Sequence, residues 1–546
     1  MNSDEGGVRM KAIFEKYKAI RYLFISLGGV LTALTLMITS MGFLEWVTMV
    51  PAALVMIFIA TSSEIKYKKV YLYGFVYYMS FYLTIFHWFV NLYPLSFIDG
   101  MSKFDAAVIV CAGWIGLSLL QSFFAAFSIV LLAFAARRGA AATRPVLIPL
   151  VAASLFTVFE WLQTFTWAGV PWGRLSLGQT EMPLILKSVS VFGSYFITFL
   201  IVAVNFSIAM LIFMYRERRI SRICLSLSVS LIALNLLVGT VATVFDEKDG
   251  KKFKAAAIQV NMSSHDKWNS NSLDMTMELV EQYTLLASNE GAKLIVCPET
   301  VFPYNPLEYS QIYKFITRLA SECDVTIVVG GFTEGEELDQ NSLVFVHPDG
   351  SVSDTVYSKR HLVPFGEYVP MREVITALIP QLAQISMLTE DLEPGADGAI
   401  ADSTVGKLGG LVCFDSIYER LLRDSAREGA EVIVLGTNDS WFLDSAAVYM
   451  HNSQARLRAV EIGRCIVRAA NTGISSVIDP NGNVLDSEPP LVEGYAIAEI
   501  SARSRLTIYT VIGDVVIYAM VAFFIVVLVL PKTIEKIRSD KKQKKN

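Results

Sequence analysis

Lys407-Leu-Gly-Gly-Leu-Val-Cys413-Phe-Asp-Ser-Ile-Tyr418 is the stretch that decides how the second half of this chain folds. A short apolar run closes on a cysteine, and helical spacing takes over across 417–428. That pattern is a buried strand leading into a helix. It recurs on both sides: strands are expected at Lys254–Val260, Lys293–Cys297, Val325–Gly330, Ser342–His347, Lys407–Phe414 and Glu431–Gly436. Helices are expected at 271–290, 308–322, 417–428 and 446–463, with turns at Gly330-Gly331, Asp349-Gly350 and Asn481-Gly482. The alternation predicts an α/β domain with a largely buried sheet.

Three residues carry chemistry. Cys413 closes its strand ahead of a helix that begins around Asp415–Tyr418. A thiol there, under a helix N-terminus and near a lysine, is expected to have a lowered pKa and to be nucleophilic. Glu299, after Pro298 at another strand end, suits a general base. Lys359 suits an ammonium held against an oxyanion. Each taken singly also reads as an ordinary buried cysteine, loop acid or solvated lysine. Cys111, Cys224, Cys297, Cys323 and Cys465 read as structural.

Upstream the composition changes. The chain has 546 residues, 53% hydrophobic and only 18% charged, with a mean hydropathy of +0.47, so membrane and soluble parts are both expected. Apolar runs of spanning length fall near 21–40, 44–61, 70–90, 104–135, 147–163, 190–214, 221–244 and 509–530. The first has basic flanks but leads straight into further spans, so no cleavable signal peptide is indicated. Basic residues cluster in alternate loops: Arg9, Lys11, Lys16, Lys18 and Arg21; Lys66, Lys68 and Lys69; Arg137, Arg138 and Arg144; Arg216, Arg218, Arg219 and Arg222; and the tail Lys532 to Lys545. By the positive-inside rule both termini are cytoplasmic and the block 245–508 lies outside. The expected organisation is a cytoplasmic segment 1–20, a seven-helix bundle 21–244, the outer domain 245–508, an eighth span 509–530 and a basic tail 531–546. In the loop 164–189, Trp167, Trp172 and Arg174 read as an interfacial aromatic belt or as a platform for lipid.

Other classes find no support. A net charge of -5 gives no reason to expect nucleic acid. The six cysteines form no C-x-x-C pair and the five histidines no H-E-x-x-H, so neither a metal site nor a disulfide framework is indicated. Few intramembrane charges argue against a transporter.

The residues around the three chemical positions resemble a known family. Cys-Pro-Glu299-Thr-Val-Phe-Pro, Tyr-Ser-Lys359-Arg-His-Leu-Val-Pro-Phe-Gly-Glu367-Tyr-Val-Pro and Thr-Asn438-Asp439-Ser-Trp441-Phe442 are similar to segments of the nitrilase superfamily and its membrane-embedded branch, the apolipoprotein N-acyltransferases. So are Gln454-Ala-Arg456-Leu-Arg458-Ala-Val-Glu461, Arg468-Ala-Ala-Asn471-Thr472-Gly473 and, upstream, Glu160-Trp-Leu with Gly169-Val-Pro171-Trp172 and Gln179-Thr. The resemblance covers about residues 20–530.

It implies eight transmembrane helices plus an extracytoplasmic nitrilase-like domain of αββα type, in the bacterial cytoplasmic membrane. It implies a Glu299-Lys359-Cys413 triad that moves an acyl chain from a membrane phospholipid, through a Cys413 thioester, to the α-amine of a diacylglyceryl-cysteine on an apolipoprotein. Lys359 and a backbone N–H near Phe414 would hold the oxyanion. Glu367 would position Lys359 or the amine, and Trp268, Trp172, Trp441 and Asn438 would lie along the substrate path. No cofactor, metal or nucleic acid is implied, and a monomer is expected. The family usually has Tyr-Glu after the cysteine; Phe414-Asp415 stands here. The lost hydroxyl is worth about 0.5–1.5 kcal/mol as one hydrogen bond, which bears on substrate identity more than on reaction type. The competing readings are a membrane-anchored nitrilase-type amidase and a catalytically inactive lipoprotein-binding scaffold. Val374–Met387, mostly apolar, reads as a lid that dips into the membrane interface or as a packed helix.

Overall fold

The computed structural model describes residues 6–95, 101–215, 217–246, 250–263, 266–269, 271–378, 390–396 and 398–543. Most of the expected lid, from residue 379 to 387, lies outside them; its first turns belong to a helix Arg372–Leu378. The chain divides into two compact units, one of residues 1–87, 112–243 and 512–546, the other of 88–111 and 244–511.

The first unit is helical. Among the described residues, six helices are long and apolar enough to cross a membrane: Lys18–Met37, Thr39–Thr61, Lys103–Arg138, Pro145–Leu162, Ser194–Phe213 and Arg219–Val244. The tyrosine-rich helix Tyr67–Ile85 and the shorter apolar stretch Val515–Leu530 occupy two other expected runs without being among the six. Lys103–Arg138 is interrupted at Ala126. Several polar groups inside the unit are paired. Gln179 Nε2 donates to Glu45 Oε2 at 2.7 Å and to the Gly42 carbonyl at 2.8 Å. Glu160 accepts from Thr198 Oγ1 at 2.8 Å and from Leu175 N–H at 3.2 Å. Such pairing is what backbone and side-chain groups need where water is absent. Trp172 and Arg174, expected on an outward loop surface, are 3% and 0% exposed, with Arg174 over the Tyr195 ring. Among the three, Trp167 stays exposed.

The second unit contains two six-stranded sheets. Strands are β1 (Lys251–Gln259), β2 (Ala292–Val296), β3 (Thr326–Glu334), β4 (Asp339–Val346), β5 (Val352–Ser358), β6 (Ile400–Ala401), β7 (Leu408–Val412), β8 (Val432–Thr437), β9 (Cys465–Ala470), β10 (Ser475–Ile478), β11 (Val484–Glu488) and β12 (Gly494–Ala502). The orders are β12-β1-β2-β3-β4-β5 and β11-β10-β9-β8-β7-β6. In each sheet three central strands run parallel (β1-β2-β3 and β7-β8-β9) and the flanking strands antiparallel. The sheets pack face to face through β1, β2 and β3 against β8 and β9, and β4 and β5 against β7. Helices Ser272–Asn289 and Ser310–Cys323 cover the first sheet, and Ala446–Ile462 with Glu419–Arg427 the second, giving four α-β-β-α layers. Burial on both faces explains why the central strands read as unbroken apolar runs.

All six expected strands and all four helices form, with ends displaced by a few residues. The expected turn at Gly330-Gly331 does not form: both residues lie inside β3. The glycines serve close approach instead. A Cβ on Gly330 would collide with the Pro298 carbonyl and lie 2.5 Å from Thr300 N, and one on Gly436 would lie 3.1 Å from Glu299 N. The loop bearing Glu299 is thereby seated against two strands.

Candidate active site

Glu299, Lys359, Glu367 and Cys413 converge at the strand ends of the second unit. Lys359 directly follows β5, and its Nζ donates to Glu299 Oε1 at 3.0 Å and Glu367 Oε1 at 2.8 Å. Its side chain is 1% exposed. Glu367 is delivered by the turn that Leu-Val-Pro-Phe-Gly-Glu encodes. Its amide donates to the Val363 carbonyl at 2.9 Å, and its Oε2 accepts from Val363 N–H at 2.8 Å. Asn341, on β4, donates from Nδ2 to both Glu299 Oε1 (2.7 Å) and Glu367 Oε1 (3.0 Å). Two buried carboxylates therefore share one ammonium and one amide. Burial opposes the charge on Lys359, but Glu299, Glu367 and Cys413 outweigh it and hold its pKa well above the ordinary value.

Cys413 adopts a φ of +47°, a left-handed conformation that turns the chain sharply after β7. It opens a five-residue 3₁₀ turn, Cys413–Ile417; the α-helix starts only at Glu419. The expected α-helix N-terminus is therefore absent from the thiol, and the expected lowering of its pKa is reversed. Burial pushes the thiol up, Glu299's charge adds to it, and Lys359 only partly offsets both. With its pKa raised, Cys413 is a neutral thiol, which would need a base in order to attack as a nucleophile. Alkylation of Cys413 by iodoacetamide, followed by peptide mass, is expected to rise through pH 10 without a plateau. Saturation by about pH 8, as for an activated thiolate, would contradict this.

A polar network lies behind the Cys413 backbone. Ser416 Oγ donates to the Cys413 carbonyl at 2.7 Å and lies 3.1 Å from His451 Nε2. His451 Nδ1 is 2.8 Å from Asp439 Oδ1, and Arg468 donates to Asp439 Oδ2 at 2.7 Å. Although burial pushes the Asp439 carboxyl up, Arg468 and His451 hold it below the usual carboxylate range. The Cys413 thiol, Asp439 and His451 lie within 4.8 Å of one another, a spacing a metal could use. The Arg468 guanidinium against the same carboxylate disfavours a cation there.

Asp415 is fully buried and accepts from Tyr357 Oη (2.9 Å) and from the amides of His361 (2.8 Å), Arg360 (3.2 Å) and Val412 (3.3 Å). It thus ties the backbone after Lys359 to the strand before Cys413. Burial raises its pKa to about 6 against the pull of Lys359 and these donors. Phe414 packs edge-on against Tyr418. Trp268 is 44% exposed beside Phe332, with Trp441 half-buried. Asn438 is buried and accepts from Ser440 Oγ at 2.7 Å. Trp172 is the exception, belonging to the other unit.

Comparison with known proteins follows the same division. Residues 254–509 match the carbon-nitrogen hydrolase family, and residues 28–207 match the apolipoprotein N-acyltransferase N-terminal domain. The apolipoprotein N-acyltransferase of Geobacter metallireducens is 32% identical over 520 residues, covering 93% of this chain and 95% of that one. The protein of that name from Thermotoga maritima is 28% identical over 525 residues, covering 94% of each. Among solved structures, Saccharomyces cerevisiae Nit3 of the nitrilase superfamily aligns with a TM-score of 0.37 at 22% identity, over 47% of this chain and 93% of that one. Joined to both domain matches, the near-complete coverage at 32% identity means that the chain belongs to the apolipoprotein N-acyltransferase family.

Proposed function

We propose that this protein transfers an acyl chain from a membrane phospholipid to the α-amine of an apolipoprotein's S-diacylglyceryl-cysteine, through a thioester on Cys413. The observation that carries the reading is the buried Glu299–Lys359–Glu367 cluster close enough to Cys413 for Glu299's charge to act on the thiol. Glu299 takes the thiol proton as sulfur attacks the ester carbonyl. Lys359 and the Phe414 amide hold the oxyanion. Collapse breaks the acyl C–O bond; Glu299 returns the proton to the departing lysophospholipid oxygen, leaving the thioester. In the second half the amine attacks the thioester carbonyl and gives a proton to Glu299. The C–S bond breaks, and the thiolate is reprotonated as the amide forms.

The membrane arrangement in this proposal has eight spans, both termini cytoplasmic and the block 245–508 on the outer face of the bacterial cytoplasmic membrane. Held there at both ends, the thiol meets an ester whose chains need not leave the bilayer, at a cost of roughly 0.8 kcal/mol per exposed CH₂. Trp268, Trp441 and Asn438 would line the substrate path, and the protein would act as a monomer. Intact mass after incubation with phospholipid, beside a Cys413→Ala control, tests the chemistry. A hydroxylamine-labile acyl adduct, absent in the control and discharged by a diacylglyceryl-cysteine peptide, is expected. An adduct discharged by water alone would indicate a lipid hydrolase, and no adduct with any phospholipid would defeat the reading.

A further inference from the structure

Lys267 is a buried cation that the steps above do not use. It lies on the turn Asp266–Trp268, next in sequence to the indole that stays exposed beside Phe332. Its own side chain runs inward. The ammonium donates to Thr300 Oγ1 at 2.5 Å and reaches the Thr300 carbonyl at 3.5 Å. Thr300 is the residue after Glu299, and its φ is +42°. A left-handed backbone is uncommon for any residue with a Cβ and a genuine outlier for a β-branched one. Such a conformation persists only where its surroundings enforce it. Here Gly330, lacking a Cβ, lets its strand approach the Thr300 amide closely, and Lys267 donates to both Thr300 oxygens.

We propose that Lys267 is a positioning residue for the base: by holding Thr300 in its strained conformation it aims the Glu299 carboxylate at Cys413, and it links that aim to the seating of the Trp268 turn. This rests on the reading of Glu299 as base. The charged groups facing Lys267 are Glu299, Glu367 and Lys359. Burial lowers its pKa to about 8, the two acids oppose that, and Lys359 adds to it. Its charge, and with it the stronger form of its grip on Thr300, is present below about pH 8 and fades above it.

The rate of acyl-enzyme formation from phospholipid, measured on the full-length protein in detergent by quenched intact mass, tests the proposal. Lys267→Met is expected to slow acylation about 10- to 100-fold, the scale of a displaced catalytic group. Wild type is expected to show an ionisation near pH 8 in its acylation profile, and Lys267→Met none. Lys267→Met combined with Thr300→Gly is expected to recover about tenfold, because glycine adopts the left-handed backbone without strain. A structural role for Lys267 alone would give neither recovery nor a changed profile. Acylation by Lys267→Met within twofold of wild type overturns the proposal, as does a slow variant that Thr300→Gly fails to rescue. If Lys267→Met does not fold, a wild-type profile without an ionisation near pH 8 overturns it. Glu299→Gln distinguishes the underlying reading: acylation at the wild-type rate in that variant would remove Glu299 as base, whatever Lys267 does.

Discussion

Lys359→Met is expected to abolish measurable acyl-enzyme formation and to lower the stability of the second unit by about 3–5 kcal/mol, the usual cost of breaking a buried ion pair from one side. Both effects have one cause. Lys359 is enclosed between Glu299 and Glu367, and the other donor they share is the Asn341 amide. Without the ammonium, the buried Glu299 and the largely buried Glu367 carboxylates face each other with Lys267 as a nearby cation, and one of them must take a proton. A proton on Glu299 would remove the proposed base, worth about 10²–10⁴ in rate. The oxyanion loses a donor worth about 10²–10³. Raising the pH should return some acylation as the carboxylates ionise, which a purely steric defect would not allow. Lys359→Arg is not expected to rescue, since a planar fork replaces a compact point charge at a buried site held by two carboxylates. Acylation by Lys359→Met above about a hundredth of wild type would sink this account.

What the sequence made legible depended on whether a residue's job matched its usual surroundings. The central strands β1, β2, β3, β7 and β8 were readable because both faces are buried and the runs are apolar. β9 was not, because Arg468 interrupts it and is nonetheless fully buried. β5 and β11 are polar outer strands of the two sheets, with no apolar run to detect. Glu299, Lys359 and Cys413 came from motif resemblance; physics applied to each alone would have left them ordinary. Asn341 was missed since the expected strand began at Ser342, one residue beyond it, whereas β4 starts at Asp339. His451 and Lys267 were missed for a related reason. The helix Ala446–Ile462 buries His451, Gln454, Arg458 and Glu461 along with its apolar residues, so no polar face marks which side meets the site. The direction of the Cys413 shift was misread because strand end and nearby lysine were visible, while burial, the dominant cause, was not.

Arg468→Met tests that polar network behind the nucleophile. Arg468 is fully buried; it donates to Asp439 Oδ2 at 2.7 Å and to the Ile474 carbonyl. Its loss leaves Asp439 beside the His451 ring without the guanidinium, and about 3–5 kcal/mol of destabilisation is expected, or roughly 10 °C in melting temperature for a unit of this size. The pH dependence carries a definite sign. Asp439 has a depressed folded-state pKa, so its contribution is fully present above the ordinary carboxylate range and is lost as pH falls through the folded value. Removing Arg468 weakens the depression, so the acid-side fall in melting temperature should begin at higher pH in the variant than in wild type. Acylation should fall less than in Lys359→Met, because Ser416 still holds the Cys413 carbonyl and the Glu299–Lys359–Glu367 cluster is untouched. The two variants thus separate the parts of the site: one removes charge from where the reaction occurs, the other loosens the backbone that presents the thiol. Equal loss of acylation in both, with the same melting temperature as wild type for Arg468→Met, would mean that Arg468 acts on the reaction directly and that the division is wrong.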